Sequence, residues 1–193
     1  MRLSQTARVS RQHERGLTLI ELIVAMALFV ALFFIAAPDF RIWIENTRMR
    51  TVSEALQNGV RQAQAEAVRL NRTVVFFLTN EEPALGANAI ANGANWGLRT
   101  LPLFPGDAAQ YIRGGAFSDV APGVAIAGPA TICFNAAGQQ VTVAAEGCAA
   151  GAATYDVTRV GADRRLRVVA SLGGRVRMCD PDKALSAANP DGC

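Results

Sequence analysis

The longest apolar run in the chain is Leu17 to Ala37, LTLIELIVAMALFVALFFIAA, in which only Thr18 and Glu21 are polar; Pro38 closes it. Twenty-one residues wound as a helix span roughly 30 Å, the thickness of a bilayer hydrocarbon core. Beyond the run the pattern becomes one-sided. Val52, Leu56, Val60, Ala63, Ala67 and Leu70 recur at spacings of four or three, while Arg50, Glu54, Arg61 and Arg69 fall off that stripe. This predicts an amphipathic helix that lays its Val/Leu/Ala face on a sheet. Gly59 counts against it, at about 1 kcal/mol relative to Ala. A helix running from Leu17 to Leu70 would be about 80 Å long.

After Asn71 the period changes. Thr73 to Leu78, TVVFFL, reads as a buried strand, and residues 83–95, rich in Ala, Asn and Gly, as an exposed loop. Trp96 to Leu103 reads as another strand. Thr131–Phe134 and Gln139–Val143, joined through Asn135-Ala136-Ala137-Gly138, read as a hairpin. Tyr155–Val160 and Leu166–Ala170, turning at Gly161-Ala162-Asp163, read as a second; Gly173-Gly174 then introduces Arg175–Met178. The expected fold class is α+β: a long N-terminal helix packed on a C-terminal, mostly antiparallel sheet.

Composition narrows the function. Hydrophobic residues make up 51% of the 193, and charged residues 18%, which excludes wholesale disorder. The single histidine, His13, lies in the basic N-terminal stretch, so no histidine-based triad or His-rich zinc site is expected beyond it. The formal charge of +3 is carried by residues 1–16, with Arg2, Arg8, Arg11 and Arg15 against Glu14. The rest is neutral, so the overall basicity is no argument for nucleic acid. No phosphate loop appears and no pair of carboxylates stands out; no enzyme and no cofactor are expected, with a membrane-anchored periplasmic enzyme as the remote alternative. Asp180, Asp182 and Asp191 lack calcium-loop spacing and read as solvated charges.

Glu21 is the anomaly of the apolar run. An ionised carboxylate at membrane depth costs about 2.5–3.5 kcal/mol and needs a partner. The flanking residues, Arg15-Gly16-Leu17-Thr18-Leu19-Ile20-Glu21-Leu22, resemble the cleavage motif of type IV prepilins and of type II secretion pseudopilins. The resemblance implies a leader of residues 1–16, cut by a prepilin peptidase between Gly16 and Leu17, and N-methylation of the new Leu17 amine. Glu21 then sits fifth after the cut, where the family places its glutamate, and pairs with the N-terminal amine of a neighbouring subunit during assembly. Pro38 falls where many pilins have a helix-kinking proline. Leu17 stands where the family usually has Phe. The implied organisation is a leader (1–16), a single-pass membrane half of the helix (17–37), an amphipathic half (38–70) and a β-rich outer domain (71–193). The arginines before the run orient that domain to the periplasmic side of the inner membrane.

The second half is similar to the GspH/FimT-type minor pilin domain. The similarity rests on Cys133-Phe134-Asn135-Ala136-Ala137-Gly138, on Leu166-Arg167-Val168-Val169 and on Gly174-Arg175-Val176-Arg177. Cys179-Asp180-Pro181 leans towards the pilus branch, FimT or FimU. The resemblance implies a minor pilin that primes assembly at a filament tip, with other minor and major pilins and an inner-membrane assembly platform as partners; minor pseudopilin H of a type II secretion system is the alternative. Members of the FimT type include DNA-uptake receptors whose binding motif resembles Gly174-Arg175-Val176-Arg177. This makes DNA a candidate partner and Arg165, Arg167, Arg175 and Arg177 candidate contacts, since a guanidinium binds phosphate through two N–H groups at once. A solvated strand face is the competing reading, and Phe134 and Tyr155 read as core rather than stacking platforms.

All four cysteines lie beyond the apolar run, and there is no CxxC. Four cysteines allow three pairings. Cys133–Cys148 and Cys179–Cys193 are favoured because each closes a local loop of about 14–15 residues, worth about 3 kcal/mol in a chain-entropy account.

Overall fold

The computed structural model describes residues 18–193, with the side chains of 35–38 outside the described set. It contains two compact units, divided between Asp39 and Phe40. Helix α1, Leu19–Leu70, contributes to both.

In the first unit every described side chain of the helix is exposed, from Leu19 to Phe34. The helix begins on Thr18, whose hydroxyl accepts the Glu21 N–H at 3.3 Å and whose carbonyl accepts the Leu22 N–H at 3.2 Å. Thr18 and Glu21 thus occupy the two ends of a Thr-x-x-Glu start signal. Among the described residues no single helix is long and apolar enough to cross a membrane; Leu19–Phe34 and Asp39–Leu70 pass on length and hydropathy only as a pair. The described apolar stretch Leu19–Phe34 accounts for about 24 Å of helix, short of a hydrocarbon core. The rest of the expected 17–37 span is Leu17, Thr18 and residues 35–37. The proposed kink at Pro38 likewise lies outside the described side chains.

The second unit holds two four-stranded sheets, not one. Strands β1 (Val74–Thr79), β2 (Asn95–Thr100), β3 (Tyr111–Ala116) and β5 (Thr131–Phe134) form the first, in the order β3-β2-β1-β5. Strands β4 (Val124–Ala127), β6 (Ala153–Arg159), β7 (Leu166–Ala170) and β8 (Val176–Cys179) form the second, in the order β4-β6-β7-β8. Every named pair is antiparallel. A short helix α2, Phe117–Val120, joins β3 to β4.

The expected stripe is the packing face. Val52, Leu56, Val60, Ala63 and Ala67 are fully buried, joined by Met49, while Leu70 at the end of the stripe is only half-buried. They form one core with Phe76, Leu78 and Phe134 of the first sheet and Tyr155, Val168 and Ala170 of the second. Gly59 belongs to this contact: a Cβ there would stand 3.3 Å from both Phe76 and Trp96 ring carbons, so the helix trades propensity for close approach to the sheet. Strand β1 is buried on both faces. Val74, Phe76 and Leu78 meet the main core, while Val75 and Phe77 join Ala87, Cys133 and Cys148 in a second cluster behind the sheet. Burial on both faces is why β1 reads as an unbroken apolar run rather than an alternation.

Several expectations are corrected. The loop expected to be exposed over 83–95 carries Ala87 into the second cluster and buries Gly93. The strand expected over Trp96–Leu103 is Asn95–Thr100. The expected hairpin forms only in part. Gln139–Val143 is no regular strand, but it returns along β5 through an antiparallel bridge, Phe134 to Gln140, with the Asn135 N–H donating to the Gln139 carbonyl at 2.9 Å and the Val141 N–H to the Cys133 carbonyl at 3.0 Å. The other edge of β5 pairs with β1. Gln140 also reaches the second sheet. Its N–H donates to the Leu172 carbonyl, and its side-chain amide to the carbonyls of Ala170 and Ser171. Strands β3 and β4 were not expected; the Gly114-Gly115 pair in β3 and the shortness of β4 hide them.

Candidate functional site: an arginine face and its disulfide-closed tail

Strand alternation sorts the side chains of β7. Leu166, Val168 and Ala170 are buried, so Arg165, Arg167 and Val169 point outward. In β8, Val176 is buried and lies opposite Ala170, while Arg177 lies opposite Val169. Arg175 shares its parity with Arg177 and meets Ser171, whose N–H donates to the Arg175 carbonyl at 2.9 Å. The four candidate arginines therefore share one outer face. From Arg165 to the level of Ser171 it is about 20 Å long.

They are not equally available. Arg167 lies opposite Asp156 of β6 and grips it with two bonds, Nε to Oδ1 at 2.6 Å and Nη2 to Oδ2 at 2.9 Å. Arg165 grips Asp182 in the same forked manner, Nη2 to Oδ1 at 2.7 Å and Nε to both oxygens at 3.0 and 3.1 Å. These bonds, and the attached charge, raise the affinity of both guanidinium groups for their proton and hold the Asp182 carboxyl below the usual carboxylate range. Arg177 Nη2 donates to the main-chain oxygen of Cys193 at 3.3 Å. Among the described residues no hydrogen bond or ion pair holds the Arg175 guanidinium, which is exposed.

Gly174, the first residue of Gly-Arg-Val-Arg, has a structural reason. Its φ is +86°, and a Cβ would stand 2.1 Å from the Gly138 carbonyl oxygen and 2.2 Å from Gln64 Nε2. The β7–β8 turn is thereby pressed onto α1 and onto the turn after β5, and this docking fixes where Arg175 and Arg177 emerge.

The chain after β8 folds back over the same face. Cys179 is bonded to Cys193, and Cys133 to Cys148. The Cys193 N–H donates to the carbonyls of Asp180 and Lys183 at 3.1 and 3.0 Å, closing the tail on itself. A groove remains between tail and sheet, lined by Val169, Ser171, Arg175, Arg177, Leu185 and Pro190. Asp156, Asp182 and the tail wall were missed in the sequence. Asp156 lies opposite 167 because the hairpin centres between Gly161 and Ala162; the expected turn, centred on Ala162, places Val157 there instead. Nothing in the sequence places Asp182 against Arg165.

Phe134 and Tyr155 are fully buried in the main core. Among the described residues no cluster of three potential metal-binding side chains occurs. Glu21 is exposed in the first turn of α1; Gly16 and Leu17 lie outside the described residues.

The comparisons with known proteins agree with this anatomy. The family model for the prokaryotic N-terminal methylation motif matches residues 11–37. A comparison with curated proteins gives no match. Among solved structures, the chain is similar to the type IV minor pilin FimU of Pseudomonas aeruginosa. The identity is 19%, with 74% of this chain and 96% of that one covered, at a TM-score of 0.52. The minor pseudopilin EpsH of the type 2 secretion system of Vibrio cholerae is a more remote likeness, at 12% identity, 68% and 95% coverage and a TM-score of 0.45. The chain thus has the type IV pilin fold of FimU, a long N-terminal helix followed by antiparallel sheets, and carries a prokaryotic N-terminal methylation motif at its head.

Proposed function

We propose that the protein is a minor pilin, a structural subunit made as a prepilin, cut between Gly16 and Leu17 and built into a type IV pilus, where it helps prime assembly at the tip. The observation that carries the reading is the match of residues 11–37 to the methylation motif ahead of a pilin-type domain. Within it, Glu21 supplies a lone acid in an apolar helix, whose cost is offset only when a neighbouring subunit contributes a cationic amine. The outer domain then lies on the periplasmic side until assembly. The mass of the protein recovered from membranes tests this. It should lack residues 1–16 and carry one added methyl group. Gly16→Leu should block that processing, because a bulky side chain obstructs the peptidase site. A full-length mature protein beginning at Met1 would overturn the reading.

We further infer that the arginine face binds a polyanion, DNA being the candidate the Gly174-Arg175-Val176-Arg177 motif supports. The supporting observation is the exposed Arg175, beside Arg177, at the mouth of a groove. The Arg175→Gln/Arg177→Gln double variant should abolish a salt-sensitive gel shift. An unchanged shift would remove the receptor role and leave the pilin reading intact.

A further inference from the structure

We propose that the disulfide-closed tail from Cys179 to Cys193 sets how many arginines a polyanion meets. Asp182 and the Cys193 main-chain oxygen occupy Arg165 and Arg177, leaving Arg175 as the point of first contact. This rests on the polyanion reading above and extends it to the residues that tune the site.

The donors of Arg165 are used in the way a phosphate would use them. Asp182 takes Nε and Nη2 together, at 2.7 to 3.1 Å, so a phosphate oxygen reaches this guanidinium only by displacing the carboxylate. Arg177 is held more lightly, by one bond of 3.3 Å to the tail's last residue. The tail's own cation does not offset its acids towards the face. Lys183 Nζ is bound to Asp191 at 2.8 Å and lies 3.6 Å from Asp180.

The closure keeps these competitors in place. Besides the Cys179–Cys193 bond, Asp180 forms a parallel bridge with Gly192, and its N–H donates to the Asp191 carbonyl at 2.6 Å. A carboxylate tethered this closely acts at an effective concentration on the order of millimolar. A polyanion must outcompete it at Arg165 but meets no competitor at Arg175.

The arginines are graded by what holds them. The Arg165–Asp182 side chains are 47% and 52% exposed, so the pair is a surface ion pair that yields readily. The Arg167–Asp156 side chains are both 31% exposed and joined across paired strands, so that pair stays with the sheet. The ligand class follows from the spacing. A single phosphate gains only Arg175 and Arg177, whereas an extended polyanion with successive charges over about 20 Å also reaches Arg165 and profits from displacing the tail.

The test is binding of a fluorescent DNA duplex to the full chain in neutral detergent, across a salt series. Asp182→Asn should tighten binding about two- to fivefold at low salt and steepen the slope of log affinity against log salt by about one. Adding Arg165→Gln should cancel the gain. The Cys179→Ser/Cys193→Ser variant, which releases both Arg165 and Arg177, should show a gain that Arg165→Gln removes in part and Arg165→Gln/Arg177→Gln removes in full. If Asp182→Asn changes neither affinity nor slope while Arg175→Gln weakens binding in the same assay, the role of the tail is overturned and the polyanion reading stands. If neither the parent nor Asp182→Asn binds, both fall.

Discussion

Gln64 Nε2 donates to the Gly138 carbonyl at 2.8 Å, with no room above that bond for any side chain at Gly174. The contact joins α1, the turn after β5 and the β7–β8 turn at one point. Gly174→Ala would strain a positive φ and push a methyl into two neighbours. It should cost about 1–3 kcal/mol of stability, measured by denaturant unfolding. Gln64→Ala removes one hydrogen bond and should cost about 1 kcal/mol. Because the two act on one contact, their costs in the double variant should fall short of the sum.

Acid should loosen the segment Leu101–Asp107. The Asp107 carboxyl accepts the Leu103 N–H at 3.0 Å and an ion pair from Arg72, which also donates to the Leu101 carbonyl at 3.0 Å. The Leu103 bond holds the Asp107 carboxyl below its ordinary value; burial pushes the other way and Arg72 adds to the lowering. A folded-state value below the unfolded one contributes stability that is present above the unfolded value, about 3.9, and is lost as pH falls through the folded value. Asp107→Asn should therefore be less stable than the parent at neutral pH. The gap should close as the pH drops below the carboxylate range. A constant gap across pH would show that the carboxylate charge is not what matters.

The two disulfides should differ in reach. Cys133 lies in β5 and, with Cys148, in the second cluster behind the first sheet. The Cys133→Ala/Cys148→Ala variant should lose about 3 kcal/mol, a fall in melting temperature of about 6–12 °C for a domain of this size. Cys179–Cys193 closes a tail whose residues 182–188 are all exposed. Its removal should abolish hydrogen-exchange protection at the Cys193 and Gly192 amides and leave the main transition nearly unmoved.

Glu21→Ala removes the lone acid of the apolar helix without touching the outer core. The variant should accumulate in membranes at parental levels and be missing from sheared filaments. Normal incorporation would contradict the pairing of Glu21 with a neighbouring amine.

The sequence alone determined the elements whose signal is periodic. The stripe Val52 to Ala67 read as a helix face despite Gly59, and the run from Val74 to Leu78 as a buried strand; the fold adds that this strand is covered on both sides. The β6–β7 hairpin was legible too, but not its register: a turn centred on Gly161-Ala162-Asp163 would set Arg167 opposite Val157, whereas the fold sets it opposite Asp156. The motif from Gly16 to Glu21 was likewise local. Tertiary structure decided the rest. It split the strands into two sheets: β5 took β1 on one edge and only a partial hairpin with 139–141 on the other, and Gln140 crossed to the β7–β8 turn. It also decided which arginines are occupied. Asp182 and Arg165 are 17 positions apart, and no periodicity relates a tail aspartate to a strand arginine; only the fold-back of the closed tail brings them together. Local spacing encodes faces and turns, whereas the pairing of charges across elements depends on where separate segments meet in space.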